Sequence, residues 1–171
     1  MNDQENDDRY ISTKIESAVI EGDKETVQEL IAEADSGYRD DKGSTLLHKA
    51  AVAESPEVVP MLINHGVDPD AQDNVGKTAL HRALELENYE IAELLLEHGA
   101  DPNIFDDTGR QPLSDAIMNA TSDMRYIDML LEYGADPTLT NNEGISTLDK
   151  VQEMGIPPLV ERLRSVAGDE T

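Results

Sequence analysis

Residues Gly76-Lys77-Thr78-Ala79-Leu80-His81-Arg82-Ala83 repeat a pattern met 33 positions earlier as Gly43-Ser44-Thr45-Leu46-Leu47-His48-Lys49-Ala50. The two stretches share Gly, Thr, Leu, His and Ala in register. The glycines carry the interval outward: Gly43, Gly76 and Gly109 are 33 apart, and Gly144 follows after 35. A second series, Gly66, Gly99 and Gly134, always precedes the next glycine of the first series by 10 residues. A fixed period of this length marks a stacked repeat, in which each unit buries its apolar face only against its neighbours.

The residues within one period fit a helix–turn–helix unit. Thr45 and Thr78 stand where a hydroxyl N-caps a first helix, and the pair Ala50-Ala51 lets neighbouring helices approach closely. Asn88 and Asp123 are placed to cap second helices. Ile91, Leu94, Leu95 and Leu96 supply an apolar face, and Gly99 fits a left-handed helix end. Two departures stand out. Pro60 falls inside a second helix begun at Ser55-Pro56, where a missing donor distorts the helix. The third unit carries two extra residues near Ala120-Thr121.

Both opening stretches resemble the ankyrin signature Thr-Pro-Leu-His-x-Ala, with Leu46 or Ala79 at the Pro position. Residues 94–103, Leu-Leu-Leu-Glu-His-Gly-Ala-Asp-Pro-Asn, resemble an ankyrin second-helix end and turn, and 62–70 and 130–138 are similar. The third unit departs, with Gln111-Pro112-Leu113-Ser114. The resemblance spans about residues 12–166 and implies an all-α solenoid of stacked helix–turn–helix units with short hairpin loops. The expected division is a tail over 1–11, a capping unit over 12–39 and full repeats over 40–72, 73–105 and 106–140. A closing unit follows over 141–166, with Ser146-Thr147-Leu148-Asp149 in the signature slots and a last helix over 156–163, then a tail over 167–171.

Composition limits the function. The 37 acids and 13 bases give a net charge of −24, which repels nucleic-acid phosphates and attracts basic proteins. The same acidity also serves solubility or a salty cytoplasm. There is no Cys, so disulfides and thiolate metal sites are excluded. No stretch approaches the roughly 20 apolar residues of a membrane span. The acidic start, Met1 to Arg9, is unlike a signal peptide, so a cytoplasmic protein is expected.

Chemistry-bearing residues are absorbed by the repeat. His48 and His81 are signature histidines, which the resemblance assigns to hydrogen bonds with turn backbone. His65 and His98 precede turn glycines. The four form columns one period apart and do not converge, so no catalytic, metal or cofactor site is expected. The carboxylates lack partners that would mark an acid–base pair, and there is no phosphate or Ca²⁺ loop pattern.

The resemblance implies that partners engage hairpin tips and the exposed face of first helices. The variable slots there are Asp41, Lys42 and Ser44, with Val52 and Ala53, in the first repeat. In the second they are Asn74, Val75, Lys77, Glu85 and Leu86. The third repeat gives Asp107, Thr108, Arg110, Asp115, Met118 and Asn119, and the closing unit Asn142, Glu143, Ile145 and Met154. Val75, Leu86, Met118 and Ile145 are the apolar anchor candidates. The bases cluster on hairpins and first helices, while the acid excess lies on the N-terminal unit, second helices and tail. The expected function is a non-catalytic, monomeric protein-interaction module that binds a basic protein as adaptor or inhibitor/immunity-type protein. The alternatives are a chaperone for a basic client, or a generic scaffold whose acidity reflects solubility or halophily.

Overall fold

The computed structural model describes residues 3–119 and 124–168. Among them are ten α-helices in five successive pairs: α1 (Asp3–Glu21) and α2 (Lys24–Leu30), α3 (Leu46–Ala53) and α4 (Val59–Asn64), α5 (Ala79–Glu85) and α6 (Tyr89–Glu97), α7 (Pro112–Asn119) and α8 (Arg125–Glu132), α9 (Thr147–Met154) and α10 (Pro157–Ala167). Extended pairing among the described residues is limited to an isolated bridge, Thr140 to Ser146. The all-α solenoid expected from the repeat is the observed fold.

The first helices α1, α3, α5 and α7 pack in series, and each of α3, α5, α7 and α9 packs on the second helix of its own pair. Alanines set the spacing of the inner row. Ala50, Ala51, Ala83 and Ala116 are buried where a larger side chain would hold neighbouring helices apart. Leu46, Leu47, Leu80, Leu84, Ile91, Leu95 and Leu113 fill the layers between, in one continuous core that runs from Ile15 to Leu163.

Local chemistry starts and stops these helices. Thr45, Thr78 and Ser146 each close a capping box, which satisfies backbone donors that a helix start leaves open. After α6 the chain turns at Gly99, where Ala100 N–H donates to Leu95 C=O at 3.0 Å. Pro60 is accommodated by splitting the second helix: a 3-10 turn over Pro56–Val58 ends as α4 begins at Val59, so Pro60 sits in a first turn that needs no donor from it.

Two expectations change. The stretch expected as a tail over 1–11 is helical from Asp3. Ile15, Ala18 and Val19 are buried against the stack, and a helix nucleated by that docked half extends at little further cost. Asn88 occupies the N-cap position of α6 but makes no side-chain cap bond, and its amide nitrogen is buried without a hydrogen-bond partner. Asp123 and the insertion near Ala120-Thr121 lie outside the described residues, as do Met1, Asn2 and the tail from 169.

Candidate partner-binding surface

The inner side is made of the hairpin tips and the first helices that follow them. Each tip opens on an acid or amide three residues before its glycine: Asp40, Asp73, Asp106 and Asn141. Asp73 shows the geometry. Its Oδ1 accepts from Val75 N–H and Lys77 N–H at 3.0 Å each, and its own N–H donates to Lys77 C=O at 2.8 Å. Gly76 has a φ of 76°, and a Cβ there would lie 2.5 Å from Asp107 N. Glycine is thus required twice over, by conformation and by the approach of the next tip. The tips are laced together: Asn74 N–H donates to Lys42 C=O at 2.9 Å, and Asn74 Nδ2 to Asp41 C=O at 3.1 Å.

The signature histidines lie beneath the tips. Thr45 N–H donates to His48 Nδ1 at 3.1 Å, so the opposite ring nitrogen carries the proton and donates to Lys77 C=O at 2.9 Å. Thr78, His81 and Arg110 C=O repeat the arrangement at 3.1 and 3.2 Å. Burial disfavours the charged ring, so the pKa of His48 is lowered and that of His81 falls to about 4. Both rings are fully used as structural bridges between units. His65 and His98 donate to Ala34 C=O and Leu94 C=O. Among the described residues no group of His, Asp and Glu is placed to hold a metal ion.

Four bases of this side are held by the protein's own acids. Lys49 Nζ lies 2.5 Å from Asp40 and 2.7 Å from Glu16. Arg82 reaches Asp73 at 2.5 Å and Glu85 at 3.2 Å. Lys77 pairs with Glu85 and lies 3.8 Å from Asp106. Arg110 lies 3.8 Å from Asp106 and 3.6 Å from Asp115. Burial alone would raise Asp40 and Asp73, but Lys49, Arg82 and backbone donors hold both below the usual carboxylate range. Asp115 is the exception. It is 2% exposed, its Oδ2 has no hydrogen-bond partner, and burial pushes its pKa up to about 6 despite Lys77 and Arg110.

This arrangement sorts the candidate contacts. Asp41, Lys42, Asn74, Asp107, Thr108, Asn142 and Glu143 are exposed on the tips, and Val75, Leu86 and Met118 are exposed apolar residues. Ser44, Glu85, Arg110, Asn119 and Ile145 are half-buried, so Ile145 is the weakest of the four anchors. Lys77 is corrected: only 7% exposed, its ammonium points into the stack between Glu85 and Asp106 and offers a partner nothing. Sequence reasoning missed the tip-opening acids as the holders of the inner bases. Their recurrence in step with the glycines was the available signal.

Two clefts indent this side. One, of about 330 Å³, lies between α3 and α5 with Val52 and Leu86 on its walls. The other, of about 120 Å³, lies between α7 and α9 beside Met118 and Met154. Among the described residues no helix is long and apolar enough to cross a membrane. The family model for ankyrin repeats matches residues 15–106 in three copies. No curated protein matches the chain in sequence.

Proposed function

The chain belongs to the ankyrin-repeat family and is a protein–protein interaction module; from that premise we propose that it is a non-catalytic, monomeric, cytoplasmic binding protein whose inner side docks a basic protein. An adaptor and an inhibitor or immunity-type protein are the two forms this takes. The observation that supports the reading is the contrast on the inner side. Val75, Leu86 and Met118 stand exposed, while Lys49, Lys77 and Arg82 beside them are neutralised within the chain. Exposed apolar anchors supply binding energy, and the net charge of −24 supplies attraction and rate.

The test is affinity capture from cells of the source organism with the native chain and with a Val75→Asp, Met118→Asp variant. One dominant basic protein held by the native chain and lost by the variant, at unchanged melting temperature, is the expected result. Capture of the same protein by both overturns the choice of face, and capture of an acidic protein overturns the choice of partner.

A further inference from the structure

Val52, Leu86, Met118 and Met154 are each 48 to 66% exposed, and they stand at the C-terminal ends of the four successive first helices α3, α5, α7 and α9. They form one row across the inner side. Val52 and Leu86 flank the first cleft, and Met118 and Met154 the second. Surface apolar residues usually occur singly, so an exposed apolar residue at the end of each of four successive first helices calls for an occupant.

The row has acidic borders. On one side the chain passes directly into Glu54 and Glu87, and Glu153 adjoins Met154; all three are exposed. At the other ends of the same helices the tips carry exposed Asp41, Asp107 and Glu143, with Lys42 as the opposing charge. Glu54 and Glu87 have φ values of 58° and 57°. The closing unit puts Gly155, at φ 66°, in the corresponding place after α9. Left-handed backbone disfavours a side chain, so the first two units place a carboxylate where glycine is conformationally easier. At the first cleft Lys49, Lys77 and Arg82 are already paired; at the second Arg110 is held by Asp106 and Asp115, and Lys150 stands on the wall as a base. What faces outward is an apolar strip whose two borders are mainly carboxylates.

Spacing selects the shape of the occupant. Packed neighbouring helices lie about 8–10 Å apart, and α9 stands further from α7 than α5 does, so four row residues span at least about 24–30 Å. In an α-helix, residues seven apart are about 10.5 Å apart on nearly one face. Three heptads therefore match the row end to end. We propose that the inner side receives a basic amphipathic helix of a partner protein, laid across the first helices, with apolar residues at heptad spacing in the row and Lys or Arg against the two acidic borders. This inference rests on the interaction-module reading and specifies its partner.

The probe is a synthetic 21-residue peptide, about three heptads, with one leucine face and lysine flanks. Two controls accompany it: a scrambled peptide of identical composition, and one with two central prolines that cannot stay helical. Binding is followed by fluorescence anisotropy at 50 and 200 mM salt, values chosen for the experiment as roughly bracketing physiological screening. Binding of the patterned peptide at least about tenfold tighter than both controls is expected, a difference of about 1.4 kcal/mol. Leu86→Asp with Met118→Asp should remove that preference. Glu54→Gly with Glu87→Gly should weaken binding and flatten its salt dependence without lowering the melting temperature. Equal binding of the scrambled peptide reduces the effect to charge attraction and overturns the inference, and equal binding of the proline peptide overturns the helix. If the native chain captures a cellular partner through this row while the patterned peptide fails to bind, the helix falls and the module reading stands. If no partner is captured at all, the module reading falls with it.

Discussion

The junctions between units are built with two different polar chemistries. At α3/α5 and α5/α7 a neutral imidazole reaches from one unit to a carbonyl of the next, His48 to Lys77 and His81 to Arg110. At α7/α9 the same slot holds Ser114, which is too short for that reach. Its hydroxyl meets Thr147 Oγ1 at 2.8 Å, Thr147 donates to Gln111 Oε1 at 3.0 Å, and Gln111 Nε2 reaches Asp136 C=O at 3.3 Å. Helices α7 and α9 also approach less closely than α5 and α7. A ring ties two units rigidly but carries an acid-labile proton balance. The hydroxyl chain is insensitive to pH, and its neighbour Asp115 carries the opposite balance.

The largest effect expected is on cooperativity. Leu95 and Leu163 are both fully buried, one in the second unit and one in the last. Leu95→Ala should cost about 2–5 kcal/mol as a large-to-small core change and lower hydrogen-exchange protection across α3 to α7. Leu163→Ala should lower protection in α9 and α10 alone. Equal loss across the whole chain for both variants would erase the distinction between the junctions.

His81→Ala comes next, at about 2–3 kcal/mol near pH 7, because it strands Thr78 N–H and Arg110 C=O in the interior. The folded pKa of about 4 lies below the ordinary 6.5. The stability due to the neutral ring is therefore present above about pH 6.5 and lost as pH falls towards 4. Urea unfolding at pH 7 and pH 4.5 should show the gap between native chain and variant narrowing on acidification. A gap that widens would mean the ring is charged when folded.

Asp115→Asn should act in the opposite direction. Its folded pKa of about 6 lies above the ordinary 3.8. The ionised carboxylate costs stability above pH 6, and the cost disappears as pH falls from 6 to 4. Conversion at 1.36 kcal/mol per unit gives a gain of about 3 kcal/mol for the variant at pH 7 and about none at pH 4. Destabilisation at pH 7 would show that the ion pair with Arg110 outweighs burial.

The smallest effect belongs to the outer helices. Glu90→Lys with Glu93→Lys reverses two exposed charges on α6 and should change stability by less than about 0.5 kcal/mol. It should slow association with a basic partner while leaving the off-rate alone. A faster off-rate would place the contact on the outer side.

Period and residue type were enough to read the unit. Glycine at Gly43, Gly76 and Gly109, Thr at the helix starts and His three residues after that Thr are local requirements, fixed by φ, by capping and by side-chain length. They are legible because each is satisfied within a few residues or one period away. The apolar character of Val75, Leu86 and Met118 was equally plain, and so was their place on first helices or tips. The direction in which Lys77 points was not, since Lys42 occupies a neighbouring slot in the preceding tip and is exposed. Lys77 is drawn inward by Glu85 and Asp106, residues 8 and 29 positions on; the fold of its own unit brings the first to it, and stacking of the next unit the second. Likewise the orphaned oxygen of Asp115 and the unused cap of Asn88 depend on burial by neighbouring units. The sequence determined the repeat, its turns and its caps because backbone geometry is local. The tertiary structure decided which charges remain free for a partner, because desolvation and pairing depend on which side chains the stack brings within 4 Å.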